Sequence, residues 1–154
     1  MSSGLVLETR IAVAVSDADL TAHHRIRQAV FVDEQRIFAG SDVDAHDSGG
    51  EALRVLARYD GVPAGTVRLY PLDNRGTWQG DRLAVLPQFR AHNVGGPLVR
   101  YAVATAGSLG GSVMVAHIQP PNVRFFERLG WSRDGEPETY CGLPHQPMRI
   151  ALST

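Results

Sequence analysis

The fold of this chain is decided by the stretch Asp81-Arg82-Leu83-Ala84-Val85-Leu86-Pro87-Gln88-Phe89-Arg90-Ala91-His92-Asn93-Val94-Gly95-Gly96-Pro97-Leu98-Val99. An apolar strand runs into a short loop that carries one arginine, and a glycine pair then opens a helix. The first N–H groups of a helix have no intrahelical partner, and the helix dipole is positive at that end. The stretch therefore predicts a strand–loop–helix unit that binds a phosphate or pyrophosphate.

Two common nucleotide-binding loops do not fit this stretch. The P-loop pattern Gly-x-x-x-x-Gly-Lys-Ser/Thr is absent, and the chain contains no lysine at all. The dinucleotide fingerprint Gly-x-Gly-x-x-Gly is also missing from this turn. The pattern that remains is Arg90-x-x-Asn93-x-Gly95-Gly96.

This pattern resembles the acetyl-CoA loop Gln/Arg-x-x-Gly-x-Gly/Ala of the GCN5-related N-acetyltransferases (GNAT). Asn93 stands where that family usually has its first glycine. Asparagine tolerates left-handed backbone angles better than most other non-glycine residues, so we expect the loop to keep its geometry. For this segment alone, an ordinary strand-to-helix connection is the alternative.

A second tract lies at the distance from the loop that the family requires. Residues 125–131, Phe-Phe-Glu-Arg-Leu-Gly-Trp, resemble the family tract Phe-Tyr-Glu-Lys-Leu-Gly-Phe. Pro120 and Pro121 suit the start of the helix that carries the tract, and Gly130 suits its left-handed C-terminal cap. With two motifs in the right order, the chain is identified as a member of the superfamily.

Two further segments are similar to the ElaA-type acetyltransferases. Residues 27–35, Arg-Gln-Ala-Val-Phe-Val-Asp-Glu-Gln, match the N-terminal half of that group, and residues 140–148 match its Gly-Ile-Pro-His-x-x-Met ending. The resemblance runs from about Arg25 to Ile150. Acyl-homoserine-lactone synthases share the Arg-x-x-Val-Phe-Val start and the fold. The resemblance therefore fixes the reaction class better than it fixes the acceptor.

The resemblance implies an α+β (mixed α/β) GNAT fold, with a central, mostly antiparallel sheet that contains a splayed strand pair and is flanked by helices. The 154 residues are most simply one domain, 1–154. Apolar periodicity predicts the order strand, helix, three strands, helix, strand, helix, strands. The first predicted segments are strand 5–15 and a helix from the Ser16 cap to about Val32, with Ile26, Ala29 and Val30 buried. Strand 53–59, half-buried on one face, is joined by an Asp60-Gly61 hairpin to strand 64–70. Strand 78–85, a helix after Gly96 that ends at 107–111, strand 112–118 and final strands at Trp131 and 146–152 complete the prediction.

Composition limits the classes of partner. A hydrophobic fraction of 44% with 20% charged residues is ordinary for a soluble globular protein. A net charge of -1 argues against a nucleic-acid partner, and no apolar run approaches the length of a membrane span. Cys141 is the single cysteine, so no intrachain disulfide can form. Because residues 1–16 carry no positive leader, we expect a cytoplasmic location.

The resemblance implies acetyl-CoA as the acyl donor and no metal. Its pantetheine arm would lie between strands 78–85 and 112–118, with one backbone N–H of the first strand facing the thioester oxygen. The pyrophosphate would lie on the amides from Arg90 to Gly96, and Arg90 would add charge if its side chain turns inward. The predicted cofactor-binding residues are Leu83, Ala84, Val85, Arg90, Ala91, His92, Asn93, Val94, Gly95, Gly96, Asn122 and Phe126.

The catalytic groups are harder to assign. The family often takes the proton for the leaving thiolate from the tyrosine of the second tract, but Phe126 stands there. Tyr140 or a water is predicted to supply that proton, although Tyr140 also fits an ordinary packed aromatic. Glu34 is predicted at the substrate mouth, as a base or as a ligand of the acceptor's ammonium, with a solvated helix end as the alternative. His117 is a candidate base or a satisfied core histidine, and His145 has a substrate-binding or a structural role.

Two other groups favour plainer interpretations. Asp42, Asp44 and Asp47 lie beside His46 but lack the calcium-loop glycine and the distal glutamate. We therefore expect a substrate-facing or a solvated acidic loop, and no metal site. Cys141 has no histidine at a spacing that suggests a nucleophilic pair, and direct transfer needs none.

The sequence thus favours an acyl-CoA-dependent N-acetyltransferase that moves an acetyl group directly to a small-molecule amine. One alternative is an enzyme like the acyl-homoserine-lactone synthases. The other is a non-catalytic acyl-CoA sensor, because Phe126 removes the usual proton donor. We expect neither nucleic acid nor a membrane as partner, and a homodimer stays open.

Overall fold

The computed structural model describes residues 8–153 as one sheet with helices on both faces. Its main elements are β1 (Thr9–Val13), α1 (Asp17–Arg27), β2 (Leu53–Tyr59), β3 (Val62–Pro71), β4 (Thr77–Val85), α2 (Gly95–Ser108), β5 (Val113–Ile118), α3 (Val123–Arg128), β6 (Ser132–Arg133), β7 (Glu138–Tyr140) and β8 (Leu143–Ala151). A π-helical segment, Gln28–Glu34, continues α1, and 3-10 helices span Ala45–Asp47, Pro87–His92 and Pro120–Asn122. None of the helices within residues 8–153 is long and apolar enough to cross a membrane.

The sheet confirms the predicted α+β fold and order of elements. Its strands follow the order β1-β2-β3-β4-β5-β8-β6, and β7 pairs with β8. Neighbouring strands are antiparallel except β4 and β5, which run parallel. This parallel pair is joined only over Thr77–Gln79, and the two strands then separate. The first predicted strand is described from Thr9 onward, and its residues 5–7 lie outside the described residues.

Local signals set several boundaries as predicted. The side chain of Ser16 accepts a hydrogen bond from the Asp19 N–H at 3.1 Å and caps α1. Asp60 and Gly61 join β2 to β3 with φ of 51° and 82°, the two positive angles that a tight hairpin turn requires. Gly130 follows α3 with φ of 97°, a left-handed cap that costs glycine little.

Two apolar cores lie on opposite faces of the sheet. The core under α2 includes Leu98 and Met114, and the core under α1 includes Ile26, Val30 and Phe31. We call these sides the α2 face and the α1 face. Strand β2 contributes to both cores, because Val55 and Ala57 lie on one face and Leu56 on the other. The prediction that this strand is half-buried on one face is therefore wrong at its centre.

The buried face of α1 is also more polar than predicted. Ile26 is buried as expected, whereas Ala29 is half-buried. His23 and Arg27, at helical spacing on the same face, are fully buried. His23 Nδ1 lies 2.9 Å from the Val55 carbonyl oxygen, and burial lowers the pKa of His23 to about 3, so this imidazole is neutral.

Candidate active site

A cleft of about 120 Å³ opens where β4 and β5 separate. Its walls come from these two strands, α2, α3, the segment that follows α1, and the β7–β8 hairpin. Beyond Gln79, the β5-facing edge of β4 has no strand partner in the described part of the chain. Unpaired strand edges present backbone N–H and C=O groups, so an extended ligand can lie here as an extra strand.

A β-bulge shapes the β4 wall of this cleft. The β3–β4 register shifts between Thr66 and Arg68, and Arg82 takes a left-handed φ of 53°. The Thr66 hydroxyl donates to the Arg82 carbonyl at 2.9 Å, which anchors the bulge. Asp81 and Arg82 both line the cleft and both contact buried charges on the α1 face.

The loop between β4 and α2 ends in the backbone arrangement that the sequence predicted. Asn93 has φ 54° and ψ 51°, a left-handed conformation that asparagine tolerates. The expectation that Asn93 keeps the backbone geometry of the family's glycine is therefore confirmed. Helix α2 then begins at Gly95, and no side chain caps its N-terminus among residues 8–153. Its first amides are therefore available to an anion.

Arg90 and Glu34 form an exposed ion pair at the edge of this loop. Arg90 Nη1 and Nη2 donate to the two Glu34 carboxylate oxygens at 2.7 and 2.6 Å, and Arg90 Nε donates to the Val85 carbonyl at 2.9 Å. The hydrogen bonds from Arg90 lower the pKa of Glu34. The side chain of Arg90 is thus directed toward Glu34, and the Glu34 carboxylate already has a cationic partner.

Three rings from the predicted site meet on the cleft wall. Tyr140 stacks on His117 with ring centroids 4.3 Å apart and planes 1° apart, and His145 meets Tyr140 edge-on at 5.3 Å. His117 Nε2 lies 3.1 Å from Glu138 Oε1, and His145 Nδ1 lies 3.0 Å from a backbone carbonyl. All three rings line the cleft. Sequence reasoning did not anticipate Glu138.

Tyr140 is held in its protonated form. Burial raises the pKa of Tyr140, and the nearby negative charge of Asp81 raises it further. The raised pKa means that Tyr140 carries its proton at neutral pH. Phe126, by contrast, is a buried cleft residue with no proton to give, and it packs edge-on against Trp131 at 5.3 Å.

The predicted site residues divide between the cleft and its surroundings. The cleft lining contains Leu83, His117, Asn122, Phe126, Tyr140 and His145. The remaining ones lie outside that lining, on β4, on the loop, or at the end of the π-helical segment: Ala84, Val85, Arg90, Ala91, His92, Asn93, Val94, Gly95, Gly96 and Glu34. The structure adds an apolar wall that the sequence did not indicate, formed by Phe31, Ile37 and Phe38.

Beside the cleft lies a cluster of charges that are buried except for the partly exposed Asp44, and we call it the buried ion cluster. Its members are Arg27, Arg68, Arg82, Asp42, Asp44, Asp47 and Asp81. Arg27 is fully buried and donates to Asp42 at 2.6 Å and to Asp47 at 2.8 Å. The fully buried Arg68 holds Asp81 through bonds of 2.8 and 2.7 Å. These contacts join α1, the 42–47 segment, β3 and the β4 bulge.

The cluster corrects the interpretation of the acidic segment. Asp42 is 2% exposed and the Asp47 side chain 3%, so the prediction of a substrate-facing or solvated acidic loop is wrong for both. Burial opposes the charge of Asp47, but hydrogen bonds from Arg27 and from the Asp44 N–H outweigh it and lower the pKa of Asp47. One sequence signal pointed this way, because Arg27 lies three residues before Val30, on the helix face that was predicted to be buried.

Comparison with known proteins agrees with this geometry. The model of the Acetyltransferase (GNAT) family matches residues 17–131, and the chain therefore belongs to the GNAT family. A Bacillus subtilis (strain 168) relative, named "Putative acetyltransferase BSU40680", is 30% identical over 131 residues, which cover 84% of this chain and 88% of that protein.

Two solved structures share the fold. The crystal structure of a "putative N-acetyltransferase from Lactobacillus plantarum" has a TM-score of 0.82 at 25% identity and covers 94% of this chain and 98% of its own. Escherichia coli ElaA has a TM-score of 0.79 at 22% identity and covers 94% of this chain and 99% of its own. The class of protein that the fold and the site define is an acyltransferase of the GNAT family.

Proposed function

We propose that this protein is an N-acetyltransferase that moves the acetyl group of acetyl-CoA directly to the amine of a small acceptor. One observation carries the proposal: the unpaired edge of β4 lines the cleft, and the same strand continues through the loop to the uncapped N-terminus of α2. An edge that pairs with an amide-containing arm and a helix end that binds pyrophosphate match the two halves of coenzyme A.

The chain's own groups have distinct parts in this proposal. Backbone groups of Leu83, Ala84 and Val85 bind the pantetheine arm, and an N–H of the bulged strand stabilises the charge that develops on the thioester oxygen. The amides of residues 91–96 hold the pyrophosphate. Arg90 is paired with Glu34 at the edge of this loop, so it adds positive charge to the pyrophosphate only when that pair opens.

The other side of the cleft receives the acceptor. Tyr140 protonates the leaving thiolate, which its protonated state supports. His145 and the apolar wall of Ile37 and Phe38 contact the acceptor, while Asn122 and Phe126 contact the pantetheine arm. Titratable rings in the cleft favour an enzyme over a non-catalytic acyl-CoA sensor, because a binding module needs no such groups.

The reducing cytoplasm is the proposed location, with no nucleic-acid or membrane partner. A net charge of -1 and a single cysteine support this. Light scattering on the purified protein would decide between a monomer and a homodimer.

A thermal-shift experiment tests the cofactor claim. Acetyl-CoA and CoA should each raise the Tm of the wild-type protein, since a ligand at 100 times its Kd adds about 2.7 kcal/mol of stability. Gly95→Asp should abolish the shift, because its carboxylate meets the phosphates. The site itself accepts a side chain, as a Cβ at Gly95 would lie 3.5 Å from Phe125 Cζ. Gly50→Asp is the control, since Gly50 is exposed with open space around it. A wild-type Tm that neither ligand raises at millimolar concentration would refute the proposal.

An acceptor screen tests the reaction. We expect CoA release from acetyl-CoA in the presence of at least one primary amine of a diverse panel. Acyl-homoserine-lactone synthases share this fold, so one arm contains S-adenosylmethionine with longer acyl-CoAs. Turnover in that arm alone would favour the synthase alternative. Tight CoA binding without any turnover would favour the sensor.

A further inference from the structure

His117 lies on the acceptor side of the cleft. Along β5, Met114, Ala116 and Ile118 pack into the core of the α2 face. Successive residues of a strand point to opposite faces, so the His117 ring lies on the α1 face, away from the helix end that would hold the pyrophosphate. The ring lines the cleft and is stacked flat on Tyr140.

Glu138 determines which ring nitrogen of His117 carries the proton. Glu138 Oε1 lies 3.1 Å from His117 Nε2. An ionised carboxylate only accepts hydrogen bonds, so Nε2 of the neutral ring is the donor and the lone pair lies on Nδ1. The Tyr140 ring, 4.3 Å away and parallel, restricts rotation of the imidazole. Two contacts therefore fix both the tautomer and the orientation of the ring.

The lone pair on Nδ1 has no assigned partner. Nδ1 is buried and makes no hydrogen bond to any of residues 8–153. A buried nitrogen without a partner is unfavourable, which favours a group or a water in the cleft as its partner. The Glu34 carboxylate, by contrast, is paired with Arg90. His145 donates from Nδ1 to the Leu143 carbonyl at 3.0 Å, so its lone pair lies on Nε2, but of these two histidine nitrogens only His117 Nδ1 is among the buried atoms without a partner in residues 8–153.

We propose that His117 Nδ1 is the catalytic base that deprotonates the attacking amine, and that Glu138 is the positioning residue that fixes its tautomer. This inference rests on the proposed function. The amine nitrogen forms the C–N bond to the thioester carbonyl carbon, and Nδ1 takes one N–H proton, directly or through one water. The C–S bond breaks with its electron pair on sulfur, and the thiolate takes the Tyr140 proton. The proton on Nδ1 then restores the Tyr140 hydroxyl through water.

Nitrogen NMR tests the tautomer without an acceptor. In ¹⁵N-histidine-labelled protein, with His117→Gln used for assignment, neutral His117 should show a protonated Nε2 and an unprotonated Nδ1. Glu138→Ala should give a mixture of both tautomers, whereas Glu136→Ala, an exposed control two residues before Glu138, should leave the wild-type spectrum unchanged. A protonated Nδ1 in the wild-type protein would overturn the proposal.

Kinetics with the best acceptor of the screen test the role. His117→Ala should lower kcat by about 10²-fold or more, the usual scale for a lost acid–base group, and free imidazole should restore part of it. Glu138→Ala should lower kcat about 10-fold, whereas Glu138→Gln should keep most of it, because an amide oxygen still accepts from Nε2. The KM for acetyl-CoA should stay unchanged in all three variants.

These outcomes separate the base from the proposed function. Full activity of His117→Ala and of His117→Gln would overturn the assignment of the base while the cofactor claim stands. A wild-type protein that binds neither CoA nor acetyl-CoA would refute the proposed function itself, whatever the tautomer of His117.

Discussion

The loop of residues 86–96 and the buried ion cluster both adjoin β4, one wall of the cleft, but they are built in opposite ways. The loop offers backbone amides, and its requirements are a left-handed residue at Asn93 and a helix that starts at Gly95. The cluster consists of side chains from four segments, and Arg27 alone contacts both Asp42 and Asp47. A backbone site tolerates side-chain changes that keep its φ and ψ, whereas each charge in the cluster depends on its partners. The two regions should therefore respond differently to mutation.

The largest expected effect is on the cluster. Arg27→Ala leaves Asp42 and Asp47 buried without their main partner, and should lower the free energy of unfolding by about 3–5 kcal/mol. Arg25→Ala, exposed on the same helix, is the control and should change it by less than about 0.5 kcal/mol. Urea unfolding measures both. A loss below about 1 kcal/mol for Arg27→Ala would show that the cluster does not depend on this residue.

The second-largest effect is expected from acid, which should lower the contribution of the cluster to the free energy of unfolding. Asp44 and Asp47 have lowered pKa values in the folded protein, so their contribution is present above the ordinary aspartate pKa and is lost as the pH falls through the folded-state values. Urea unfolding at pH 7 and pH 3 should show a loss on the order of 2 kcal/mol, the scale of one strongly paired carboxylate. Arg27→Ala should lose less on acidification, since one partner of Asp47 is already gone. Equal losses would contradict the pairing.

A change of backbone preference tests the loop. Asn93→Val places a β-branched residue at φ 54°, where its side chain clashes with the backbone. The strain should weaken CoA binding about tenfold. Asn93→Gly should bind CoA as well as the wild type or more tightly. Asn74→Val, in an exposed turn without a positive φ, is the control. Calorimetry that finds equal affinity for all variants would show that this position makes no special backbone demand.

The smallest effect is expected at the exposed Glu34–Arg90 pair, which joins the π-helical segment after α1 to the loop after β4. Glu34→Gln removes the charge that faces Arg90, and should change the free energy of unfolding by no more than about 1 kcal/mol. We expect kcat/KM to fall only a few-fold, because the pair holds the Arg90 side chain and His117 is the proposed base. A fall of about 10²-fold at unchanged CoA affinity would instead assign the base to Glu34.

The family, the order of elements and the backbone of the loop could all be predicted from the amino-acid sequence. These features depend on contiguous residues: the pattern from Arg90 to Gly96, the left-handed position of Asn93, and the cap at Gly130 are all local. Helix starts and left-handed turns are controlled by a few neighbouring residues, so their sequence patterns remain informative without any tertiary contact.

Which charges are solvated and which side chains are in contact depends on the folded structure and could not be predicted from the sequence. Asp42 and Asp47 have the composition of an exposed loop, and their burial follows from arginines on α1, β3 and β4 that lie far away in the sequence. In the same way Glu138 reaches His117 only because the β7–β8 hairpin folds onto β5. A charge is stabilised by whatever lies within a few ångströms of it, and the spacing of residues along the chain does not determine that distance.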